Sequence, residues 1–255
     1  FPDATHLVGD RNKDLSALAE GSWDATIDVS AYTSSQVSAL LAALGDRSGH
    51  VTFISTISVY DAAKIARRGF TENGPLLAPE FGDVPSMEKY GELKVGCEKT
   101  AMKEAQRTLL TIRPGFVIGP YDETRRFNHW VQAVAAGKPF VGPDAEQPLQ
   151  AVDGRDLAAF AIEAVERGRA GEFNVTAPQQ PPTFAQVLDT IAAALGVTLP
   201  EVTWTKAGDG LPLSMPPDWW PMMHADVSKA VGAGFTWRPL AQTVRDIADY
   251  AGIKT

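Results

Sequence analysis

The chain has 255 residues, of which 44% are hydrophobic and 21% charged. This composition supports one folded domain, or a domain with a smaller lobe, and argues against global disorder. A net charge of −8 makes a nucleic-acid backbone or an anionic membrane surface a poor main partner. The single cysteine, Cys97, cannot form an intramolecular disulfide, and no apolar run has membrane-spanning length, so we expect a cytoplasmic protein.

Strands and helices are predicted to alternate along the first part of the chain. The predicted strands lie at residues 4–8, 23–30, 51–55 and 108–112. The predicted helices lie at residues 15–19, 36–44 and 88–107, the second of them from the spacing of its leucines. A long loop rich in Gly and Pro, residues 61–86, separates the third strand from the helix that follows, and loops of this length are often functional.

The second part of the chain combines short strands, helices and irregular segments. Helices are predicted at residues 127–136, 157–167, 184–195 and 240–251, and strands at 150–152 and 172–175. Thr183 is in position to N-cap the helix that follows it, and Asp153 or Asp156 the helix at 157–167. The alternation predicts an α/β fold with a doubly wound parallel (Rossmann-like) sheet and a small substrate lobe over the strand ends.

Two fragments have residue types suited to acid/base chemistry. Val51–Tyr60 (VTFISTISVY) is typical of a buried strand that ends in hydroxyl side chains. In the second fragment, YGELK, Tyr90 and Lys94 are four residues apart and so share a helix face. An ammonium beside a phenol lowers the tyrosine pKa, and a nearby hydroxyl can hold a substrate oxygen. Such a pair alone is more often found on a solvated helix face.

A third fragment, IRPGFVIGP at residues 112–120, follows these two in the chain. In this order, the fragments resemble the extended short-chain dehydrogenase/reductase family, the NAD-dependent epimerase/dehydratase group. The resemblance extends from about Ala4 to Tyr250. It implies a dinucleotide-binding fold with NAD or NADP as cofactor, and it says little about the substrate.

The resemblance also implies roles for particular residues. Thr56 would hold the reacting oxygen, with Ser58 in reserve, although both hydroxyls also suit a simple strand-end cap. Tyr90 would be the general acid/base, and Lys94 would lower its pKa and bind the nicotinamide ribose. Cofactor contacts are implied for Asp10, Arg11, Ser30, Ala31, Tyr32, Tyr90, Lys94, Pro114 and Val117. The family's dehydratases have an Asp-Glu pair where this chain has Ile57 and Ser58, which argues against dehydration.

Substrate contacts are predicted more weakly. Ser58 is one candidate, and Arg125 with Arg126 could bind a phosphate or carboxylate or equally form a solvated helix start. Trp219 and Trp220, beside two methionines, would wall an apolar pocket or belong to the core of the lobe. No cluster of Cys and His suggests a metal site.

The expected organisation is discontinuous. Residues 1–120 would form a partial dinucleotide-binding domain, 121–149 and 172–227 a substrate lobe, and 150–171 with 228–255 would return to the first domain. The sequence contains no G-x-x-G-x-x-G pattern, so the family's first βαβ unit is missing. We therefore expect an incomplete sheet with two unpaired strand edges, unless that unit is present elsewhere or supplied by a partner. A truncated relative that no longer binds nucleotide is the alternative.

The leading hypothesis is an NAD(P)-dependent oxidoreductase or epimerase that acts on a carbinol or ketone carbon of a small molecule or nucleotide sugar. Rival hypotheses are a non-catalytic pseudoenzyme that kept the fold and an RNA-binding protein, as in the chloroplast stem-loop RNA-binding relatives. The acidic balance of charge argues against RNA. Many relatives pair through the helix that carries the tyrosine, which would allow a homodimer.

Overall fold

The structure is a computed structural model that describes residues 3–65, 68–206 and 210–253. Parts of the predicted 61–86 loop and of the Pro- and Trp-rich 206–224 segment therefore lie outside the described residues. The strands are β1 Ala25–Asp28, β2 His50–Ile54, β3 Leu109–Pro114, β4 Phe116–Ile118, β5 Phe140–Gly142, β6 Ala151–Asp153, β7 Gly171–Val175 and β8 Val202–Trp204. The helices are α1 Ser34–Leu44, α2 Tyr90–Glu104, α3 Arg126–Ala135, α4 Gly154–Glu166, α5 Phe184–Leu195, α6 Ser228–Gly232 and α7 Leu240–Ala251. Short 3₁₀ helices occupy Ser16–Leu18, Gly45–Ser48, Ile57–Val59, Ala62–Lys64 and Pro217–His224.

The chain divides into two compact units. The first comprises Phe1–Tyr60, Leu76–Arg113 and Glu163–Phe173, and the second comprises Asp61–Pro75, Pro114–Ile162 and Asn174–Thr255. Residues 228–255 belong to the second unit, whereas the sequence groups them with the dinucleotide-binding part. Among the described residues, no helix combines the length and the apolar character needed to cross a membrane.

A four-stranded sheet with the order β1-β2-β3-β7 organises the first unit. β1, β2 and β3 are parallel, with Ile27 opposite Thr52 and Phe53 opposite Thr111. Because the strands are parallel, their carboxyl ends lie at one edge of the sheet, where ligands bind in such folds. The parallel sheets and flanking helices confirm the predicted α/β Rossmann-like class.

The strand predicted at Ala4–Val8 is wrong, since these residues are irregular in the structure. Leu7 is 52% exposed and Val8 is 91% exposed. A strand is stabilised by pairing and by packing on neighbours rather than by the propensity of its own residues. The expectation of two unpaired edges flanking a gap depended on that strand; the four strands instead form one continuous sheet with β1 at its edge.

Helices α1 and α2 form an apolar layer with this sheet. Val37 and Leu41 of α1, Phe53 of β2, and Cys97 and Ala101 of α2 belong to one buried cluster. Full burial of side chains such as Val, Leu and Phe contributes about 1.5–3 kcal/mol each. Cys97 is fully buried, and burial raises the pKa of its thiol to about 11, so this side chain packs in the core rather than serving as a reactive thiol.

Helices α3, α5 and α7 supply most of the core of the second unit. Phe127, Trp130, Phe184, Ile191 and Ile247 are all completely buried in it. β4 pairs with β6, and β5 pairs with β8, both in parallel. The sequence predicts the three-residue strand β6 but not β4, β5 or β8, since runs of three residues display little strand periodicity.

The predicted N-cap of α5 is confirmed. The Thr183 Oγ1 accepts a hydrogen bond from the Gln186 main-chain N–H at 3.3 Å, and the Gln186 Oε1 accepts one from the Thr183 N–H at 3.0 Å. This reciprocal capping box satisfies two main-chain donors that the first turn of a helix otherwise leaves without partners. It fixes the start of α5 at Phe184, as predicted.

Candidate functional site

The start of α2 lies directly against the 3₁₀ turn Ile57–Val59. A Cβ atom on Gly91 would lie 2.3 Å from the main-chain oxygen of Ser58, so only glycine allows this approach. The side chain before it, Tyr90, has its ring centroid 5.8 Å from that of Tyr32, with the planes tilted by 51°. The glycine of the YGELK fragment therefore places the tyrosine next to the turn that follows β2.

Lys94 lies one turn further along α2 and is almost completely buried, with 4% exposure. Its Nζ donates hydrogen bonds to the main-chain oxygens of Ala31 at 2.9 Å and Ile54 at 2.8 Å. It also lies 4.2 Å from the centroid of the Phe53 ring. Burial lowers the pKa of Lys94 to about 8. The side chain therefore joins the carboxyl ends of β1 and β2 and holds a proton that is easily released.

The hydroxyls of Thr56 and Ser58 lie in the turn after β2. Thr56 Oγ1 accepts a hydrogen bond from the Ser58 main-chain N–H at 3.1 Å and donates one to the Ser58 Oγ at 3.2 Å. Thr56 is 8% exposed. Thr56 therefore caps the turn, as the alternative interpretation expects, and its own O–H is already used in the bond to Ser58. The O–H of Ser58 is available to donate to a substrate oxygen.

Arg11 and Ser30, two of the residues implied to contact the cofactor, form a charged cluster with Asp28 at the end of β1. Arg11 makes two bonds to Asp28, from Nη1 to Oδ1 at 2.9 Å and from Nη2 to Oδ2 at 2.7 Å. Its Nη1 also donates to Ser30 Oγ at 2.7 Å. Asp28 in turn accepts from the main-chain N–H groups of Ser30 and Ala31. Arg11 therefore stabilises the segment 28–31, whose Ala31 oxygen holds the lysine ammonium.

Asp10 directly precedes Arg11, and its side chain is 45% exposed. Its carboxylate accepts a hydrogen bond from the Asn12 main-chain N–H at 2.9 Å, which lowers the pKa of Asp10. Lys13 lies 3.4 Å from the other oxygen. The carboxylate thus orders its own turn.

The remaining predicted residues belong to the second unit. Pro114 ends β3, and Val117 of β4 pairs with Val152. Arg125 adopts a left-handed conformation (φ 51°) as the residue before α3. Arg126 lies 5.4 Å over the Phe116 ring and donates from Nε to Thr124 Oγ1 at 3.1 Å. These contacts agree with a structured helix start.

The Trp-Met segment of the second unit is partly core and partly surface. Met222 and Met223 are buried, whereas Trp219 is 49% exposed. The indole N–H of Trp220 donates to the Met215 main-chain oxygen at 3.2 Å. Trp220 also lines a cavity together with Arg68, Glu146 and His224. Met222 and Met223 therefore belong to the buried core, and Trp220 contributes to the wall of that cavity.

Sequence analysis missed a buried ion pair next to the lysine. Arg113 donates from Nε to Glu98 Oε1 at 2.9 Å and from Nη2 to Oε2 at 2.7 Å. Its Nη1 donates to the Tyr60 hydroxyl at 2.9 Å, and Ser55 Oγ donates to Glu98 at 2.6 Å. The available signal was the position of Glu98, four residues after Lys94 on the same helix face.

Comparisons with known proteins establish the fold. No protein-family model matches the chain, and no curated protein matches it. Among solved structures, MoeE5 in complex with UDP-glucose and NAD has a TM-score of 0.70 at 19% identity, over 96% of this chain and 84% of that chain. The UDP-N-acetylglucosamine 4-epimerase from Bacillus cereus has a TM-score of 0.66 at 18% identity, over 91% and 79%.

A structure solved with NADPH is also similar. RMD from Pseudomonas aeruginosa, complexed with NADPH, has a TM-score of 0.60 at 18% identity, over 85% of this chain and 72% of that chain. Across the solved structures compared, this chain spans between 66% and 84% of their length. At these identities, the likeness shows that the chain shares the Rossmann-like fold of these structures.

Proposed function

We propose that this protein is an NAD(P)-dependent oxidoreductase or epimerase that acts on a carbinol or ketone carbon. The observation that carries the proposal is the placement of Tyr90 and the buried Lys94 on one helix face, against the hydroxyl-bearing turn at Thr56. A nucleotide sugar is the favoured substrate class, because proteins that share this fold include MoeE5, solved with UDP-glucose and NAD.

The described residues fit the nicotinamide end of a dinucleotide. A lysine ammonium has three N–H donors. Ala31 and Ile54 accept two of them, which leaves one for a ribose hydroxyl or for the phenol of Tyr90. The glycine-rich turn that would hold the pyrophosphate has no counterpart in these 255 residues. The fit is thus to the reacting end of the cofactor.

In the oxidation direction, Tyr90 as phenolate would take the proton of the substrate hydroxyl while the carbinol carbon loses a hydride. Lys94 would favour the phenolate by its charge, and a hydroxyl of the turn, Thr56 or Ser58, would hold the substrate oxygen. The nicotinamide, when bound, would accept the hydride. In reduction, Tyr90 returns the proton to the oxygen, and return of the hydride to the other face of the ketone gives the epimer.

The first test is a titration of NAD⁺, NADP⁺, NADH and NADPH into the protein, followed by tryptophan fluorescence. Saturable binding supports the proposal, and Lys94→Met should weaken it because one ribose contact is lost. Absence of binding by folded protein would contradict the proposal and favour the pseudoenzyme. An affinity for RNA that falls steeply with salt would favour the RNA-binding alternative.

The second test concerns Tyr90. UDP-glucose, UDP-glucuronic acid and UDP-N-acetylglucosamine would be incubated with the protein and cofactor, with epimers detected by proton NMR and net redox by the absorbance of reduced nicotinamide. Tyr90→Phe should reduce turnover by about 10²–10⁴-fold, the usual contribution of a general acid/base, without changing cofactor affinity. The control Tyr121→Phe changes an exposed tyrosine and should retain full turnover.

A further inference from the structure

A cavity of about 440 Å³ lies within the second unit, and none of its lining residues is among those assigned to catalysis above. This volume is in the range of about 300–1,000 Å³ that is typical of small-molecule sites. Its apolar lining includes Ile118, Leu149, Val187 and Leu240. Prolines 178, 181 and 182 and the ring of Trp237 complete that lining. Proline backbones are stiff, so this wall changes little when a ligand enters.

One wall of the cavity is polar and is fixed by a network of ion pairs. Asp156 accepts from the main-chain N–H of Arg238 at 2.9 Å, and from its Nε at 2.9 Å and Nη2 at 2.7 Å. Asp153 accepts from Arg155 at 2.7 Å and from the Thr243 hydroxyl at 2.8 Å. These side chains are therefore held in place before any ligand binds, which reduces the entropic cost of binding.

Arg238 is the member of this network that can donate to a ligand. Its Nη1 lies 3.7 Å from Asp246 Oδ2, which is too far for a hydrogen bond. The side chain is 26% exposed, and Trp237 beside it is 38% exposed. The Trp237 ring is supported by Phe235, with the centroids 5.6 Å apart. The cavity thus presents a guanidinium N–H next to a fixed aromatic face.

The charge of the network limits what the guanidinium can accept. Three carboxylates, those of Asp153, Asp156 and Asp246, surround two guanidiniums, so the wall has a net negative charge. Burial opposes ionisation of Asp153, but the hydrogen bonds from Arg155 and Thr243 outweigh it and lower its pKa. A ligand carboxylate would meet this negative charge, whereas a neutral carbonyl oxygen would accept the bond without repulsion.

We propose that this cavity is a binding site for a neutral, mostly apolar aromatic or alicyclic molecule whose carbonyl oxygen accepts a hydrogen bond from Arg238. The proposal rests on the second unit alone and does not depend on the function proposed for Tyr90 and Lys94. A ligand of this class would bind without the nicotinamide cofactor, either as part of a substrate or as an effector.

Acetophenone is the probe, with ethylbenzene and benzoate as matched comparisons. The protein would be labelled with 5-fluorotryptophan, and its ¹⁹F resonances would be assigned with Trp237→Phe. Acetophenone should shift the Trp237 resonance with a dissociation constant on the order of 1 mM, as befits about nine heavy atoms. Ethylbenzene, which lacks the oxygen, should bind about tenfold more weakly, as expected for loss of one hydrogen bond to a charged group. Tighter binding of benzoate, or a Trp237 resonance unmoved by acetophenone, would overturn the proposal.

A pair of variants locates the site independently of the probe series. Thr190 lines the cavity from α5, and Thr190→Phe should fill it and weaken acetophenone binding about tenfold or more. Asp189→Phe, at the exposed neighbouring position, should leave binding unchanged. Circular dichroism would check that both variants fold. Equal binding by folded Thr190→Phe and wild type would place the probe elsewhere and refute the assignment.

Discussion

Lys94 and Arg113 are buried cations of the first unit that both pack against an aromatic ring but differ in their hydrogen-bond partners. Lys94 is 4% exposed and Arg113 is 3% exposed, and each lies against an aromatic ring, 4.2 Å from the Phe53 centroid and 5.1 Å from the Tyr60 centroid. The lysine is held by two main-chain oxygens. The arginine is held by two hydrogen bonds to the carboxylate of Glu98.

This difference in partners gives the two pKa shifts opposite directions, although burial opposes the charge of both cations. Burial lowers the pKa of Lys94 to about 8, because carbonyl dipoles replace only part of the hydration that the charge loses. Burial also opposes the charge of Arg113, but the bonds to Glu98 outweigh it and raise the pKa. A cation without a direct carboxylate partner is ready to exchange its proton, whereas a paired cation is fixed and serves the structure.

The largest expected effect comes from removing the carboxylate partner. Glu98→Gln leaves Arg113 buried without a counter-charge, and breaking a buried pair from one side costs about 3–5 kcal/mol. We expect the free energy of unfolding, measured by urea denaturation with circular dichroism, to fall by that amount. The midpoint should fall without a change in slope, since the surface exposed on unfolding is the same.

Glu88→Gln is the matched control for this variant. Glu88 is exposed and precedes α2, so the same chemical change there should alter stability by less than about 0.5 kcal/mol. A loss of under 1 kcal/mol in Glu98→Gln would mean that Arg113 does not depend on the carboxylate, and the contrast between the two cations would fail.

The next effect in size is a pH dependence that belongs to Lys94. The pKa is about 8 in the folded chain and 10.5 ordinarily, so between these values the unfolded chain binds more protons. The contribution of Lys94 to the free energy of unfolding therefore rises with pH across this window, by about 3 kcal/mol at 1.36 kcal/mol for each pKa unit. Below pH 8 the full penalty for burying the charge applies. Cys97, whose pKa is raised from 9.0 to about 11, contributes in the opposite direction above pH 9.

Lys94→Met isolates this contribution because methionine fills much of the space without the charge. Urea denaturation of both proteins at several pH values between about 7 and about 10.5 gives the difference curve. We expect the wild type to gain about 3 kcal/mol of unfolding free energy relative to the variant across this window, because Cys97 is present in both proteins. Parallel curves would mean that the pKa of Lys94 is not lowered in the folded protein. Arg113 adds nothing in this window, since it stays charged throughout.

The sequence predicted elements that have a strong local signal. The spacing of apolar residues gave α1, α5 and α7 nearly at their observed ends, and Thr183 marked the start of α5. The false strand at Ala4–Val8 and the missed three-residue strands share one cause. Pairing between distant segments decides whether so short a run becomes a strand, and the few residues of the run do not indicate which segment they would pair with.

The candidate site shows the same limit. The pair Tyr90 and Lys94 was visible because a helix brings residues four apart together. The partners of Lys94 were not visible, because main-chain oxygens are present at every position and carry no signature in the sequence. Arg113 was equally hidden, since a contact with a residue 15 positions away depends on how β3 packs beside α2.

The smallest expected effect concerns the hydrogen bond between Arg113 and Tyr60. Tyr60→Phe keeps the aromatic ring against the guanidinium but removes the hydroxyl that accepts from Nη1 at 2.9 Å. A hydrogen bond to a charged group contributes about 1.5–3 kcal/mol, so the variant should lose about 2 kcal/mol in urea denaturation. Tyr250→Phe, at an exposed tyrosine, is the control and should be neutral. If Tyr60→Phe lowered the free energy of unfolding as much as Glu98→Gln does, Tyr60 and Glu98 together, rather than the carboxylate alone, would hold Arg113. The contrast with Lys94 would then apply to this whole network.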